Sequence, residues 1–433
     1  MGRPPRSLTG QPWYTLAVLT LANVCGLVDR QVIALLVEPI KRDLQISDTQ
    51  VSLLMGLSFV LFYSVLGVPV GALVDRYSRR RIVAAGALLW SGMTVLCGFA
   101  QSFGQLLVLR MGVGVGEATL GPSAVSLLGD VFPRESRARA MSVFALGTFL
   151  GSGIAYAIGA YVAGVSAEGM TVSLPFFGPI RSWQVVFLVV GAPGLVVGAL
   201  ALTMHEPQRG ARAAAASPRE VFDYVRIHRR TLATLAFGFA CSSAVNYGIA
   251  AWLATFFVRT HAWTATEAGA LQGLLTMTFG VLGALAGGWL TDRWVYSGRA
   301  DAPLLVAIIA AFGMIVTAGA YPLVSSSVVA AWLLVPVNIF AAMPWGAANA
   351  AVAEALPTHL RGQGTALYLL VVNLFAGVVG PTSVAVITDR VFANPSAVRY
   401  SLAICTVCGM VAVIAILGSG RSAYRHTVAA RLS

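Results

Sequence analysis

The sequence predicts an all-α integral membrane protein of twelve transmembrane helices, arranged as two pseudo-symmetric six-helix bundles. Three observations predict this class: an apolar composition, twelve long apolar segments, and motifs repeated between the two halves. Of the 433 residues, 57% are hydrophobic and only 11% are charged, with a mean hydropathy of +0.79. Soluble domains carry about 25% charged residues, so most of this chain does not face water.

The apolar segments have the length of membrane-spanning helices, which need about 20 mostly apolar residues. They lie at about 13–40, 48–74, 81–101, 103–131, 138–163, 183–204, 231–258, 267–291, 303–323, 328–355, 362–388 and 397–418. The first segment carries Asp29 and Arg30 near its middle, unlike the apolar core of a signal peptide. We therefore expect twelve spans and no cleaved leader.

The distribution of basic residues predicts the orientation. The chain has 29 Lys and Arg against 17 Asp and Glu, a net charge of +12. The loops and tails on the side of the N-terminus hold 21 of the basic residues, the opposite loops hold 6, and Arg30 and Arg110 lie inside spans. Because basic loops stay in the cytoplasm, both termini are expected there. The positive charge therefore indicates membrane orientation, and no nucleic acid partner is expected.

Motifs of metal, redox or nucleotide sites occur only in settings that favour packing. Cys405 and Cys408 form a C-x-x-C inside a predicted span, and all five histidines fall in predicted loops or tails. Gly112, Gly114 and Gly116 also lie inside a span, where close helix packing is the better interpretation. We expect no metal, no cofactor and no ATP-driven step.

The polar segment 205–230 divides the chain into an N-terminal bundle, 1–204, and a C-terminal bundle with a short tail, 231–433. Its composition is that of a cytoplasmic linker, rich in Ala, Pro and Arg. The part from Pro218 to Arg230 has the pattern of a short amphipathic helix on the inner membrane surface. A plain solvated linker fits the same residues equally well.

Two motifs recur between the halves. GALVDR at 71–76 ends the second span and GWLTDR at 288–293 ends the eighth, an offset of 217 residues. DVFPRESR at 130–137 and EALPTHLR at 354–361 end the fourth and tenth spans, an offset of 224. Two matches at nearly one offset predict a duplicated six-helix unit. Such a duplication with a central linker is typical of transporters whose two halves rock against each other.

The chain resembles the major facilitator superfamily. The stretch GALVDRYSRR at 71–80 is similar to the superfamily's signature loop between helices two and three, with Ser78 where glycine is usual. Within the superfamily it resembles the spinster family of lipid transporters, through Asp29-Arg30, RMGVGVGEA at 110–118, GDVF at 129–132, and SVF at 142–144 leading into GSG at 151–153. The C-terminal half resembles the superfamily in general, apart from Asn246 and Trp252.

Four ionisable residues lie within the first and fourth spans: Asp29, Arg30, Arg110 and Glu117. Each costs roughly 2.5–3.5 kcal/mol at the centre of a span, so it persists only beside a partner or a cavity. Arg110 and Glu117 are about 10 Å apart along one helix face, too far for a direct bond. We expect each to meet Asp29 or Arg30 across the bundle.

These four charges form the predicted working site. Arginine suits carboxylate and phosphate, so Arg30 and Arg110 are predicted to bind an anionic headgroup or a neighbouring acid. Asp29 and Glu117 can exchange protons when burial disfavours their charged forms. A buried ion-pair network that only fixes helix packing is the alternative. The matching positions of the C-terminal half are uncharged, which favours a dedicated site.

Two further sets of residues complete the prediction. The wall of the substrate cavity is expected to include Phe59, Tyr247, Trp252, Trp345 and Asn246. By the resemblance, charges at the inner ends of the spans are latches that stabilise the outward-open state, with ordinary interface charges as the alternative: Asp75, Arg76, Asp130, Arg137, Asp292, Glu354 and Arg361.

The resemblance implies a secondary active transporter for lysolipid- or sphingolipid-like amphipaths, working by alternating access and coupled to protons. A proton-coupled drug or organic-anion efflux carrier of the same fold is the alternative. An intramembrane enzyme or a signalling receptor is not expected, because the sequence predicts no histidine or catalytic dyad in a span and no sizeable domain outside the membrane. The other expected partners are membrane lipids, and the expected setting is a monomer in a bacterial inner membrane.

Overall fold

The computed structural model describes residues 11–167, 172–174, 178–207, 218–357 and 359–432. Helices dominate these ranges. They are α1 Gln11–Gln31, α2 Val37–Leu44, α3 Asp48–Met55, α4 Leu57–Arg76, α5 Arg79–Cys97, α6 Phe103–Glu117, α7 Leu120–Val131, α8 Arg134–Ala167, α9 Ser182–Leu202, α10 Pro218–Ile227, α11 Arg229–His261, α12 Ala265–Leu275, α13 Val281–Tyr296, α14 Ala302–Ala320, α15 Ser327–Ala342, α16 Pro344–Ala355, α17 Arg361–Val386 and α18 Val398–Leu432.

The one departure from an all-helical chain in these ranges is a small hairpin between α8 and α9. Strand β1, Val172–Leu174, pairs antiparallel with β2, Gly178–Ile180, and Val172 lies opposite Ile180. Three residues on each side are enough to pair backbone groups in a loop but leave the helical class unchanged. The predicted fold class is confirmed.

Ten segments of the described chain are long and apolar enough to cross a membrane. The two other predicted spans are also helical. The span predicted at 138–163 lies inside α8, and the one at 103–131 is divided between α6 and α7. Pro122 accounts for this break, because its ring clashes with the carbonyl four residues earlier, at Ala118. The chain bridges the break with a tight turn, in which the Thr119 N–H donates to the Gly116 carbonyl at 3.2 Å.

The helices form two compact units. One comprises Met1–Ala211 with Thr264–Gly273, and the other Arg212–Trp263 with Leu274–Ser433. In the first unit α1 packs against α8 and α9, α5 against α9 and α6, and α4 against α6. In the second unit α11 packs against α17 and α18, α14 against α18 and α15, and α13 against α15. The same pairings in the same order make the two units pseudo-symmetric.

Glycines allow the helices of the first unit to touch. A Cβ on Gly114 would lie 2.5 Å from the Phe59 carbonyl oxygen of α4, and one on Gly116 would lie 2.6 Å from the Trp90 nitrogen of α5. Helix α6 is therefore held against α4 and α5 by backbone contact. This confirms that the glycine run is a packing motif, which is how small residues bring membrane helices together.

A buried arginine ties three segments at the end of the first unit where α5 begins. Arg79 is 1% exposed, forms an ion pair with Asp130 of α7, and donates from Nε to Glu206 Oε1 at 3.0 Å. Its Nη2 also donates to the Pro207 carbonyl at 3.0 Å. We call Arg79, Asp130 and Glu206 the Arg79 network. A buried guanidinium is stable only with such a full set of acceptors.

Glu206 is held in this network as a carboxylate. It accepts hydrogen bonds from the Ser78 hydroxyl at 2.7 Å and from the Arg79 and Arg80 backbone N–H groups at 3.2 and 3.0 Å. Burial acts to raise the pKa of this carboxyl, but the hydrogen bonds from Arg80, Ser78 and Arg79 outweigh it, and the pKa lies below its ordinary value. The folded state therefore favours the ionised form.

Replacing Glu206 with glutamine is expected to lower the melting temperature at neutral pH by roughly 2–8 °C. Both oxygens of Glu206 face donors, so the glutamine NH₂ would point at another donor. Because the folded pKa is lowered, this stabilisation is present above the ordinary carboxyl pKa and disappears as pH falls through the lowered one. Thermal unfolding of parent and Glu206→Gln should differ at neutral pH and converge in acid. Asp223→Asn, at an exposed carboxyl, is the control, and an equal difference at all pH values would contradict the prediction.

Candidate functional site

The predicted working site lies inside the first unit, where the end of α1 meets α5 and α6. Asp29 and Arg30 occupy the last turn of α1, which ends at Gln31 and continues as a 3₁₀ turn, Val32–Leu35. They are therefore near the end of α1 but still inside the candidate span Gln11–Leu35. Carbonyl groups in the last turn of an α-helix have no partner within that helix. Asp29 can therefore offer both its carboxylate and its main-chain carbonyl to neighbouring helices.

Asp29 is only 1% exposed, and two neighbouring helices hold it. Its Oδ2 accepts a hydrogen bond from the Thr94 hydroxyl of α5 at 3.1 Å. Its main-chain carbonyl accepts from Arg110 Nη1 of α6 at 3.0 Å. Arg110 itself is fully buried. The predicted meeting of Arg110 with the first helix is thus confirmed, although the acceptor is the backbone and not the carboxylate.

Arg30 forms an ion pair with Glu117, the last residue of α6. Both the Nε and the Nη2 of Arg30 donate to the same carboxylate oxygen, Oε2, with the Nε at 3.1 Å. Glu117 is 3% exposed. The carboxylate is therefore engaged through one oxygen, unlike the two-oxygen fork typical of Arg–carboxylate pairs.

Aromatic rings form the floor beneath Arg30. Its guanidinium carbon lies 4.4 Å from the ring centre of Phe59 and 5.0 Å from that of Tyr63, and the two rings are stacked. A cation over an aromatic face is worth about 0.5–1 kcal/mol at exposed sites and about 2 kcal/mol when desolvated, and the Arg30 side chain is 28% exposed. Two sets of contacts therefore stabilise Arg30: the ion pair with Glu117 and the cation–π contacts with Phe59 and Tyr63.

Gly26, one turn before Arg30, makes room for the Glu117 carboxyl group. A Cβ at this position would lie 3.3 Å from both Glu117 Cδ and Oε2. The absence of a side chain at Gly26 therefore lets the carboxylate approach α1 closely.

Several buried polar atoms of the site have no hydrogen-bond partner among the described residues. These atoms are Asp29 Oδ1, Glu117 Oε1, and Arg110 Nε and Nη2. Leaving such an atom unpaired costs about 1–3 kcal/mol, and more when it is charged. Donors and acceptors that remain open while the rest of the cluster is paired can receive a ligand or a proton.

The site is electrostatically balanced and its members act on one another. The charges of Arg110 and Arg30 act on both carboxyl groups, and Glu117 acts on Asp29. With two carboxylates and two guanidinium groups the cluster is formally neutral. Adding one proton to either acid leaves one positive charge in excess, so a proton and an anion can be taken up together.

Sequence reasoning did not select Thr94 or Tyr63. Thr94 is one hydroxyl in an apolar helix, and Tyr63 is one of twelve tyrosines in the chain. A spacing of four residues between Phe59 and Tyr63, which gives one helix face, was the only available signal.

The predicted wall residues of the second unit lie in varied surroundings. Trp252 is fully buried, and its indole N–H donates to the Pro381 carbonyl at 2.9 Å, which is the environment of a packing residue. Asn246 donates to the Ala341 carbonyl at 3.1 Å. Tyr247 and Trp345 are 37% and 51% exposed.

The predicted latch residues are only partly brought together. Asp130 pairs with Arg79, while the side chains of its two predicted partners, Asp75 and Arg137, lie outside the described part of the structure. Arg76 is exposed.

In the second unit Glu354 accepts a hydrogen bond from the Tyr424 hydroxyl at 2.8 Å, whereas Asp292 and Arg361 are exposed. Arg421 of the last helix pairs with Asp301 at 2.8 Å, an ion pair that the sequence did not indicate. No three His, Cys, Asp or Glu side chains in the described ranges are grouped as metal ligands.

Residues 19–381 match the sequence profile of the Major Facilitator Superfamily. The chain is 30% identical to an MFS-type efflux pump of Mycolicibacterium smegmatis over 65% of its own length and 62% of the pump's. It is 28% identical to the protein spinster of Drosophila melanogaster over 75% of its own length and 53% of that protein's. The chain thus matches less than two thirds of the length of either relative.

Among solved structures, the chain is similar to a bacterial homologue of the human lysosomal transporter spinster, in an inward-facing and unoccupied conformation. The TM-score is 0.79 and the identity 28%, covering 99% of this chain and 98% of that one. The resemblance to spinster proteins predicted from the sequence is confirmed.

Proposed function

This chain belongs to the Major Facilitator Superfamily, and from that premise we propose that it moves lysolipid- or sphingolipid-like amphipaths in exchange with, or together with, protons. The observation that carries the proposal is the cluster of two acids and two arginines, of which Asp29, Glu117 and Arg110 are buried and keep open polar atoms. An amphipath has an anionic or zwitterionic headgroup and an apolar tail. The cluster offers positive charge to the first, and its aromatic floor offers an apolar surface beside it.

In the proposed mechanism the substrate headgroup and Glu117 compete for Arg30. While Glu117 is ionised it holds Arg30 through Oε2. Protonation of Glu117 weakens this ion pair and leaves the guanidinium over Phe59 and Tyr63, available to an anionic group. Loss of the proton restores the pair and expels the headgroup. Binding of a proton and of an anion are thereby linked.

In this mechanism Arg110 is a second residue that binds the headgroup, and Asp29 is a second proton acceptor. Arg110 is oriented by its bond to the Asp29 carbonyl, which leaves Nε and Nη2 to bind the headgroup. Asp29 is oriented by Thr94 and exposes Oδ1 as a second proton acceptor. A planar guanidinium with two open N–H groups suits a phosphate or carboxylate better than an ammonium would.

The remaining features of the proposal follow from the sequence patterns. We propose both termini in the cytoplasm, from the arginine count of the loops, and a monomer in a bacterial inner membrane. Residues 1–204 and 231–433 are proposed as the two bundles that alternate access, joined by the linker 205–230. Of the predicted wall residues, the exposed Tyr247 and Trp345 are proposed to contact the amphipath's tail. The end-of-span charges are proposed as latches, with Asp130 held by Arg79.

Replacing Glu117 with glutamine or Asp29 with asparagine is expected to abolish transport driven by a pH gradient while binding at equilibrium persists. Each change keeps the shape of the side chain but removes its exchangeable proton. The measurement is uptake of a labelled lysophospholipid into proteoliposomes with and without an imposed gradient, together with binding at two pH values. Asp223→Asn is the matched control. If both site variants respond to the gradient like the parent, proton coupling at these residues is wrong.

The 30% identity to an efflux pump favours one alternative, a carrier that expels drugs or organic anions. The same cluster would bind an organic anion, so geometry does not separate the two substrates. Competition does: a lysophospholipid should displace a bound fluorescent amphipath far more effectively than a tail-less organic anion. Equal displacement by both would favour the efflux carrier.

A further inference from the structure

An apolar groove of about 710 Å³ runs along α1 in the first unit. One face of α1, from Trp13 to Val28, forms its floor. Helix α8 forms one wall, which includes Ile154, and α9 forms the other, which includes Val189 and Pro193. Sites for small molecules enclose roughly 300–1,000 Å³. The groove therefore has room for a bound molecule.

Close contact between α1 and α8 shapes this groove. A Cβ on Gly147 of α8 would lie 2.8 Å from the Thr20 methyl carbon, and one on Gly151 would lie 3.0 Å from a Val24 methyl carbon. Small residues at such positions let two membrane helices approach each other. The junction between the floor and the α8 wall is therefore fixed by helix packing.

The described lining of the groove carries no charge. Of the fourteen described residues that line it, only Trp13, Thr20 and Cys25 have a polar side-chain atom, and the rest are Ala, Val, Leu, Ile or Pro. The helix of the second wall, α9, contains no Asp, Glu, Lys, Arg or His. Burial of a polar group without a hydrogen-bond partner costs free energy. The groove therefore suits an apolar occupant.

The floor and the α9 wall belong to two candidate membrane spans, Gln11–Leu35 and Ser182–Leu202. At the edges of the groove Leu21 is 45% exposed and Val189 is 49% exposed. Surfaces that line water inside a membrane bundle are where ionisable residues lie, and this surface has none among its described residues. The groove is therefore continuous with the surface that the hydrocarbon of the bilayer covers.

The length of the groove matches an extended acyl chain. From Trp13 to Val28 the floor is about 22 Å long at 1.5 Å per residue. One leaflet contributes about 15 Å to the hydrocarbon core of a bilayer. Trp13 is 47% exposed near the beginning of the span, and tryptophan in such a place lies at the level of the lipid headgroups. A chain that enters beside Trp13 can therefore lie in the groove along its whole length.

The charged site lies on the other side of α1. Gly26 faces Glu117, because a Cβ there would lie 3.3 Å from the carboxyl carbon. At 3.6 residues per turn, Gly26 and Arg30 are each turned by about 160° from Val28. A transported amphipath bound at Arg30 has α1 between its headgroup and the groove, whereas a bilayer phospholipid has its headgroup at the level of Trp13. The occupant that fits is a lipid of the surrounding bilayer.

We propose that this groove binds one acyl chain of a bilayer phospholipid. The headgroup lies at the level of Trp13, and the chain extends along α1 to Val28 between α8 and α9. The bound chain packs against α1 on the side opposite the ion pair of Arg30 and Glu117, so it supports the helix that carries the charged site. This binding does not rest on the proposed function.

The experiment uses the full chain in nanodiscs that contain a phosphatidylcholine with a photoactivatable diazirine in the middle of one acyl chain. Light converts the diazirine into a carbene that inserts into the side chain beside it. Labelling is compared at Leu21 in the groove and at Leu89 on α5. Each lies ten residues after the first residue of its helix, and they are 45% and 38% exposed. Labelling at Leu21 should exceed that at Leu89 roughly fivefold, because a chain held on three sides makes more contacts.

Filling the groove tests the assignment. Ala17→Phe places a ring in the groove, and Ala85→Phe makes the same change at an exposed position of α5 as the matched control. Ala17→Phe should reduce labelling at Leu21 to the level at Leu89, whereas Ala85→Phe should leave it at the parent level. Ile158→Trp, at a wall residue that is 42% exposed, fills the groove from α8 and is the second variant.

Three outcomes would overturn the proposal. Equal labelling of Leu21 and Leu89 in the parent would show only the lipid that surrounds any membrane protein. Labelling at Leu21 that persists in both filling variants would place the chain outside the groove. Loss of labelling at Leu21 when lysophosphatidylcholine is added would assign the groove to a single-chain amphipath. None of these measurements depends on transport, so they stand apart from the test of proton coupling.

Discussion

Replacing Arg110 with methionine is expected to reduce transport at least 100-fold. The guanidinium is fully buried, its Nη1 holds the Asp29 carbonyl, and its other N–H groups are open within the described site. Methionine has a similar length but no charge, so it would leave two buried acids facing a single arginine. Removal of one partner from a buried charge cluster costs about 3–5 kcal/mol, which means that thermal stability should fall as well.

A double variant separates the two effects. Arg110→Met combined with Asp29→Asn restores the formal neutrality of the cluster, so much of the lost thermal stability should return while transport stays absent. Arg42→Met, at an exposed arginine, is the control for loss of an arginine in general. The measurements are the melting temperature in detergent and uptake into proteoliposomes. Transport at the parent rate by the double variant would mean that the cluster only fixes helix packing.

Replacing Gly116 with alanine is expected to prevent stable folding of the first unit. The new Cβ would lie 2.6 Å from the Trp90 nitrogen and 2.7 Å from the Gly86 carbonyl oxygen. Both are backbone atoms of α5 and cannot turn away as a side chain could, so α5 and α6 must separate. Overpacking of this kind costs about 1–3 kcal/mol or more. Glu117, the next residue, would lose its position opposite Arg30.

Gly104→Ala is the matched control, because it makes the same change in the same helix. No heavy atom lies within 4 Å of a Cβ at this position. Alanine favours a helix over glycine by about 1 kcal/mol, so this variant should be as stable as the parent or more so. Yield of monodisperse protein and thermal unfolding would be compared for the two. A Gly116→Ala protein that matches Gly104→Ala would show that α6 has room to shift.

Much of the fold could be predicted from the sequence because its signals are local. A run of apolar residues identifies a membrane helix without reference to the rest of the chain, and the repeated motifs identify the duplication. The breaks within spans were harder to predict. Pro122 ends α6 at Glu117 and thereby sets the carboxylate at a helix terminus, and the sequence alone did not distinguish this from a continuous helix.

The partners of the charged residues could be predicted only in part. Burying a charge in a membrane is costly, so few partners are permitted for each charged residue. This cost was enough to predict that the pair Asp29 and Arg30 would meet the pair Arg110 and Glu117. The choice of the Asp29 carbonyl as acceptor for Arg110, and of Thr94 as donor to Asp29, did not follow. These contacts join residues 81 and 65 positions apart, and they depend on how three helices pack.

The Arg79 network shows the same limit. Asp130 was predicted to work with Arg137 of its own motif and with Asp75 at the end of the second span. In the described residues it pairs with Arg79, which also binds Glu206. Arg79 and Glu206 are separated by 127 residues. Spacing along the chain says nothing about this pair, because it forms only where α9 returns beside α5.

The sequence by itself determined that this protein lies in the membrane, that it is a duplicated helical bundle, and that the charges in the middle of its predicted spans belong to one half. Composition, periodicity and the cost of an intramembrane charge are sufficient for those conclusions. Only the tertiary structure decided that Arg30 binds one oxygen of Glu117 over two aromatic rings and that Arg110 keeps two N–H groups open. Hydrogen bonds are directional and short in range, so which atoms pair and which stay open is fixed only when the helices are packed.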